Sequence, residues 1–297
     1  MKRWIARIAA ALGTALVLLL VYGVAIEPRF VLNEERQQVP LPGLGQELAG
    51  TAVAVVSDMQ IGMWWSNEGM VERAVETIVE ADPDVALLAG DFVYSTDPDV
   101  GTQVDRVVEL ITPLVEADIP TFAVLGNHDY AVSAEDELTT ALEDAGVPVL
   151  ANEAVPVPST GSGPEAGRLH VVGLGPAVPD RVDVDAAFDG VPDDAPRVVV
   201  MHNPTTFDRL PAGTAPLAVA GHTHCGQVAL PGAPRWSYMG LTEEEAIVAD
   251  GWAPDAYGAE GNRMFVTCGI GFSLAPVRIN APPQVVFFEL VPGEVDG

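Results

Sequence analysis

Lysine is almost missing from this chain. Lys2 is the only one in 297 residues, and with the arginines it brings the bases to 14 against 42 acids. The resulting net charge of −28 leaves no basic stripe on which a nucleic-acid polymer could lie, which excludes that class of partner. The same excess of acid is typical of proteins from salt-loving organisms, where screening relieves self-repulsion; an acidic mesophilic protein is the plainer alternative. Cysteine is scarce too. Cys225 and Cys268 are the only two, which excludes a disulfide framework, a zinc ribbon or any thiolate cluster. One bridge is open to them if they lie close in an oxidising compartment, but the expectation is two separate small core residues. No HExxH helix is present, so a zinc peptidase of that type is excluded. Charged residues make up 19% and hydrophobic residues 48%, too apolar a balance for disorder. Internal repeats are absent, and only residues 156–167, "PVPSTGSGPEAG", are low in complexity and read as a surface loop.

What is present begins with an apolar run. After Lys2, Arg3 and Arg7 no charge occurs from Ile8 to Ile26. Nineteen helical residues span about 28 Å, close to the hydrocarbon thickness of a bilayer. The basic flank belongs on the cytoplasmic side, which puts everything after Glu27 outside. A cleaved signal peptide competes with this reading, because "GVA" at Gly23–Ala25 suits a cleavage site. The run exceeds a usual signal core, so residues 1–26 are expected to be a retained single-pass anchor. Residues 27–50, rich in Glu, Gln, Pro and Gly, are expected to be a tether, and residues 51–297 the folded domain.

From Thr51 the chain alternates strands with helical patterns. "TAVAVVSD", "DVALLAGD" and "TFAVLGNHD" read as buried strands. Between them Val71, Val75, Ile78 and Val79, then Val104, Val107, Val108 and Ile111, mark helix faces, and another helix is expected near 135–145. This βαβα order predicts a mainly parallel sheet. The later strands, "RLHVVGLG", "PRVVVMH", "APLAVAGH", "RMFVTCG" and "QVVFFEL", have less helical connections and are expected to form a second sheet packed on the first.

The polar residues fall where strands end: Asp58, Asp91, Asn127 with His128, His202, and His222 with His224. Ligands gather outside the carboxyl ends of strands in α/β sheets. Four of the five histidines belong to this set; the fifth, His170, sits inside a strand and is expected to be structural. Carboxylates, imidazoles and an amide carbonyl suit Zn²⁺, Mn²⁺ or Fe. Asp91, with two oxygens, is suited to bridging a pair of ions.

In order and spacing, "SDMQ", "GDFV", "GNHDY", "MHNP" and "GHTHCGQ" resemble the calcineurin-like metallophosphoesterases, most closely a membrane- or wall-associated bacterial and archaeal branch. The likeness runs over about residues 51–291 and includes "GIGFSLAPVRINAPPQVVFFEL" near the end. It implies an α/β fold of two packed mixed sheets flanked by helices, and a two-metal phosphoesterase whose substrate is a phosphodiester or other phosphate ester, lipid-linked, envelope-derived or nucleotide. By the same resemblance Asp58, Asp91 and His224 would hold one ion, and Asp91, Asn127, His202 and His222 the other. His128 would face the substrate, and Asp129 would orient it.

Two departures stand out. Gln60 occupies the place where the family's first motif usually has histidine; its carbonyl is a weaker ligand than imidazole. Cys225 stands where glycine is common and is expected to be structural. Gln60 is also what favours the alternative to an enzyme, a catalytically weak metal-binding protein of the envelope. "MWW", Met63–Trp65, is suited to walling the substrate site, facing the membrane or packing on the sheet. Residues 242–262 are expected to be a solvated acidic insertion with a short helix.

Overall fold

The computed structural model describes residues 2–158, 167–242, 247 and 250–293. The low-complexity stretch lies largely outside them, as do residues 243–246, 248 and 249 of the acidic insertion. The apolar run forms helix α1 (Lys2–Val21), which continues through one wider turn into the short α2 (Glu27–Phe30). No residue of α1 is buried, and by length and composition it is a candidate membrane span.

Residues after α2 do not form a free tether. Strand β1 (Asn33–Leu41) pairs in parallel with β13 (Gln284–Pro292) over its whole length. Its side chains explain why the sequence hides this: Glu34, Arg36 and Gln38 are exposed, and only Val39 and Leu41 are buried apolar residues. An edge strand is held by its backbone ladder, which a polar composition does not reveal.

The first sheet runs β1, β13, β2 (Ala52–Val56), β3 (Val85–Ala89), β4 (Thr121–Val124), with only the β13–β2 pair antiparallel. Right-handed parallel crossovers need helices, and α3 (Glu68–Ala81) and α4 (Val100–Glu116) supply them. Met70, Val71, Ala74, Val75 and Ile78 form the buried stripe of α3; Val104, Val107, Ile111 and Leu114 form that of α4. Asp99 caps α4 by accepting from the Thr102 N–H. After β4 come α5 (Asn127–Ala131) and α6 (Glu135–Asp144), the second where periodicity places it.

The second sheet is built from β5 (Glu153–Pro156), β6 (His170–Gly173), β7 (Arg197–Val200), β8 (Ala218–Ala220), β11 (Gly251–Trp252) and β12 (Met264–Val266), in the order β11-β12-β8-β7-β6-β5. Short α7 (Val184–Phe188) precedes β7, and a hairpin of β9 (Ala229–Leu230) and β10 (Ala233–Ser237), followed by α8 (Tyr238–Thr242), stands between β8 and β11. Strand β11 thus gives the acidic insertion a sheet partner. The last strand corrects the expectation for "QVVFFEL", because β13 joins the first sheet. Its alternation fits that place, with Val285 and Phe287 toward the helices and Val286, Phe288 and Leu290 between the sheets. The inter-sheet core also holds Val53, Leu87, Val124, Val171, Val198 and Phe265, each buried side chain of this size worth about 1.5–3 kcal/mol. Two mixed sheets therefore stack with helices outside, and every strand ending in a polar motif points its carboxyl end to one rim.

Candidate metal centre

At that rim the backbone turns sharply. Asp58 (φ 54°), Gln60 (53°), Asp91 (57°), His222 (72°) and His224 (48°) are all left-handed, a conformation that costs non-glycine residues about 1–3 kcal/mol each. The loops after β2 and β3 keep pairing as they turn: Asp58 N–H donates to Gly90 O, and Gln60 N–H to Asp91 O. Gly269 shows the kind of close approach here that only glycine permits. It has φ 61°, and a Cβ there would stand 2.5 Å from Asp58 Oδ2.

Asp91 is the hub. Its Oδ1 accepts from the His128 N–H at 2.9 Å; its Oδ2 accepts from Gln60 Nε2 at 2.8 Å and faces His202 Nε2 at 3.2 Å. His202 Nδ1 donates to Ala89 O at 2.8 Å, which aims Nε2 into the site. The same Nε2 lies 3.2 Å from His222 Nδ1, so Asp91, His202 and His222 offer ligand atoms all within 4.8 Å of one another. Burial opposes the charge on His202, but Asp91 and then Asp58 outweigh it and push its pKa up to about 10. For Asp91 burial acts upward, and the charge and hydrogen bond of His202 overcome it and hold the carboxyl well below its usual range.

Asp58 accepts from Ser57 Oγ at 2.5 Å and from the His222 N–H at 3.1 Å, and His224 Nε2 stands 3.7 Å from its Oδ1. Burial pushes the Asp58 pKa up. His224 is held well below the ordinary imidazole range by burial and by Arg278, whose guanidinium lies 3.2 Å from its Nδ1. A neutral imidazole is the form that ligates metals. Asn127 stands at the start of α5, its Oδ1 3.4 Å from Asn203 Nδ2. The structure thus brings all seven sequence-predicted ligands to one rim.

Whether this set suits cations can be judged from Gln60. Its side chain is buried and its Nε2 is used, but Oε1 has no hydrogen-bond partner among the described residues. An orphaned buried carbonyl costs about 1–3 kcal/mol, and a hard or borderline cation would satisfy it. Two fully buried carboxylates, Asp58 and Asp91, add the same demand for positive charge. The donors fit divalent transition ions.

His128 is half-buried and stacks on Tyr94 with ring centroids 4.8 Å apart. The expectation that Asp129 orients His128 is not met. Asp129 Oδ1 accepts from the N–H groups of Phe92 and Val93, and Oδ2 from those of Gly126 and Asp91. Four backbone donors, three of them from the Asp91 loop, saturate this carboxylate, so it braces that loop and leaves the His128 ring to Tyr94. Burial and then Asp91 raise its pKa to about 7, against the pull of those amides.

Cys225 and Cys268 form a disulfide, which corrects the expectation of two separate thiols. They follow β8 and β12, neighbouring parallel strands whose exits converge. His170 is structural as expected, its Nδ1 bonded to Arg168 O. Of "MWW", Met63 is buried, whereas Trp64 and Trp65 are exposed.

Sequence reasoning assigned no role to four neighbours: Ser57, Tyr94, Asn203 and Arg278. The last is completely buried, donating to Gly271 O, Ala281 O and Cys268 O and lying 3.2 Å from His224 Nδ1; burial lowers its pKa to about 10. An arginine inside the apolar "APVRINAPP" was the available signal, since such a residue rarely lies buried without a polar task. The foot of the N-terminal helix meets the same segment. Arg278 N–H donates to Gly23 O, and the buried Glu27 carboxylate accepts from the N–H groups of Asn280 and Ala281.

Comparison with known proteins agrees with this geometry. Residues 51–226 match the family described as calcineurin-like phosphoesterase. The phosphodiesterase YaeI of Escherichia coli (strain K12) is 30% identical over 226 residues, covering 75% of this chain and 76% of that protein. The UDP-2,3-diacylglucosamine pyrophosphatase LpxG of Chlamydia trachomatis is 23% identical over 326 residues, covering 94% and 95%. A solved dimetal phosphatase from Danio rerio is similar over 75% of this chain and 88% of its own, at 11% identity and a TM-score of 0.41.

Proposed function

Because the chain belongs to the calcineurin-like phosphoesterase family, whose members use a dinuclear metal centre, we propose that it is a membrane-anchored phosphodiesterase acting outside the cytoplasm. Membership makes it a metal-dependent phosphoric ester hydrolase. The observation that carries the finer reading is the pair of buried carboxylates, Asp58 and Asp91, ringed by strand-end imidazoles and amides beside a half-buried, unligated His128.

Asp58, Gln60, Asp91 and His224 would hold one ion, and Asp91, Asn127, His202 and His222 the other, with Mn, Zn or Fe as the fitting elements. When bound, such a pair activates water at neutral pH and stabilises the oxygens of an in-line displacement at phosphorus. The protein's own residues do the rest. The Ala89 carbonyl keeps the His202 ring aimed, Asp129 fixes the loop that presents Asp91, and Tyr94 holds the His128 ring at the mouth of the site. From there His128 donates a proton to the leaving oxygen, a role typically worth 10²–10⁴-fold.

The basic residues in the first turns of α1 support an orientation with the catalytic body outside. The docked foot, Gly23 and Glu27 against the 278–281 segment, supports a helix retained with the body over one removed as a signal. A site at the bilayer surface suits a lipid-linked or envelope phosphate ester, in keeping with the diacylated substrate in the name of the chlamydial relative.

The test is elemental analysis of the full chain loaded with Mn²⁺ or Zn²⁺, together with a panel of phosphomonoesters and diesters. Two ions per chain and diester turnover are expected. Two ions with no turnover of any ester would instead support the non-catalytic envelope protein.

A further inference from the structure

Gln227, the last residue of "GHTHCGQ", spends its amide on a neighbouring loop. Its Nε2 donates to Ser273 O and Ala275 O, and its Oε1 accepts from Ser273 N–H. This clamp pushes Leu274 outward into the left-handed region (φ 63°), where its side chain is 57% exposed. Leu274 N–H donates to the hydroxyl of Tyr94, the ring that stacks on His128. Leu274, Ala275 and Val277 line an open groove of about 340 Å³ with Val228 and Tyr238 across from them. Since Gln227 is consumed by the loop, the groove offers little to a sugar or a base, and apart from Ser273 its lining is otherwise aliphatic and aromatic.

The same segment continues to the foot of the N-terminal helix. Arg29 lies over the rings of Phe272 and Trp65, at 5.2 and 5.0 Å, and donates to the carbonyls of Ser66 and Trp65. Gly23 packs against Ile279, where a Cβ would collide. The segment that lines the groove is therefore tied at one end to the helix foot, through Arg278 and Ile279, and at the other to the ring that holds His128, through Leu274.

We propose that this groove takes the hydrocarbon chain of the substrate: the phosphate sits at the Asp91 rim while an alkyl or acyl chain lies along Leu274, Tyr238 and Val277 toward the bilayer. The proposal rests on the phosphodiesterase reading and narrows it to esters that carry such a chain. Two observations select a substrate chain over a protein partner. A wall residue of the groove, Leu274, hydrogen-bonds the tyrosine that supports His128, which puts the groove within reach of a chain attached to the reacting phosphate. Past its wall residue Val277 the polypeptide runs directly to Arg278, whose N–H donates to Gly23 O at the foot of the candidate span, where such a chain would arrive.

The experiment uses the full chain in lipid nanodiscs with Mn²⁺ and a series of alkyl p-nitrophenyl phosphodiesters, from methyl to octyl. For the wild type, kcat/KM should rise about two- to threefold per methylene until the groove is filled, somewhat less than complete transfer from water would give. Leu274→Asp should lower the octyl-to-methyl ratio at least tenfold, and Leu274→Met should restore it. Partition into the disc is common to all three proteins and cancels in the comparison. A flat series in a wild type that cleaves the methyl ester, or an unchanged ratio in Leu274→Asp, overturns the groove and leaves the phosphodiesterase standing. If no ester is cleaved at all, the phosphodiesterase reading falls, and photo-cross-linking with a diazirine-bearing octyl phosphate judges the groove alone. Label on Val228, Tyr238 or residues 274–277 that octyl phosphate competes away supports it. Label confined to the N-terminal helix, or left in place by the competitor, overturns it.

Discussion

At Asp91 the His202 Nε2 stands 3.2 Å from the carboxylate and 3.2 Å from His222 Nδ1, whereas at Asp58 the closest approach of His224 is 3.7 Å. The two halves differ in kind as well as spacing. The Asp91 half has two imidazoles and an amide, with Asp129 bracing its loop through four backbone amides. The Asp58 half has one imidazole and substitutes Gln60 for a second. Its imidazole also faces the guanidinium of Arg278, a cation that opposes any charge brought near it. The comparison teaches how a shared carboxylate could serve two ions unequally: on the proposed assignment Asp91 would anchor both, and the Asp58 half would be the weaker partner.

The most severe way to break this comparison is at the shared residue. Asp91→Asn should remove both ions and lower activity by about a thousandfold or more, since both cations that stabilise the displacement go with it. Elemental analysis that still finds one tightly held ion would mean Asp91 does not bridge. Next in size, His128→Asn should keep both ions while kcat falls by roughly 10²–10⁴. If metal content collapses with activity, His128 belongs to the ligand set and its assignment to proton transfer is wrong.

A smaller effect should separate the halves. The disulfide between Cys225 and Cys268 closes a separation of 43 residues and sits next to His224 in sequence. Cys225→Ser with Cys268→Ser should cost about 2–4 kcal/mol of stability, read from chemical denaturation. In the folded variant the ion of the Asp58 half should be lost to chelator first, because its His224 adjoins Cys225, whereas His222 of the other half lies two residues further from the bridge. Equal loss from both halves would mean the loop contributes nothing to the difference.

How far the sequence foretold these halves follows from what patterns can carry. The βαβα order, the strand ends and the polar residues on them were legible, because buried parallel strands are continuous apolar runs and helices show 3.6-residue periodicity. Strand β1 was not, since its pairing is a backbone property and its side chains are polar. The place of β13 was not, because the alternation of Val285 to Leu290 suits either sheet. The role of Asp129 went astray for a similar reason: adjacency to His128 suggested contact, but the first turn of α5 points the carboxylate back at the Asp91 loop. Ligand identities were legible only through the resemblance; convergence of Cys225 with Cys268, and of Arg278 with His224, depends on which loops the topology brings together.

Gln60 is where the comparison can be sharpened with the smallest effect. Its Nε2 donates to Asp91, and its Oε1 is buried without a partner among the described residues, so the amide is oriented with its acceptor free for an ion. An imidazole nitrogen binds Zn²⁺ or Mn²⁺ better than a neutral amide oxygen does. Gln60→His should therefore tighten the Asp58 half, and a tenfold gain needs only about 1.4 kcal/mol. Gln60→Ala removes the oxygen and the bond to Asp91, and should weaken that half while leaving the ion held by Asn127, His202 and His222 in place. Metal titrations of the three proteins should give one affinity in common and one that moves in the order His, Gln, Ala. Activity should follow the moving affinity at limiting metal and converge at saturation, because the reaction needs both ions but not this ligand's identity. Should both affinities shift together, the hydrogen bond to Asp91 is the source and Gln60 acts through the bridge. A wild type inactive at saturating metal and active as Gln60→His would instead mark the glutamine as the loss of an ancestral site.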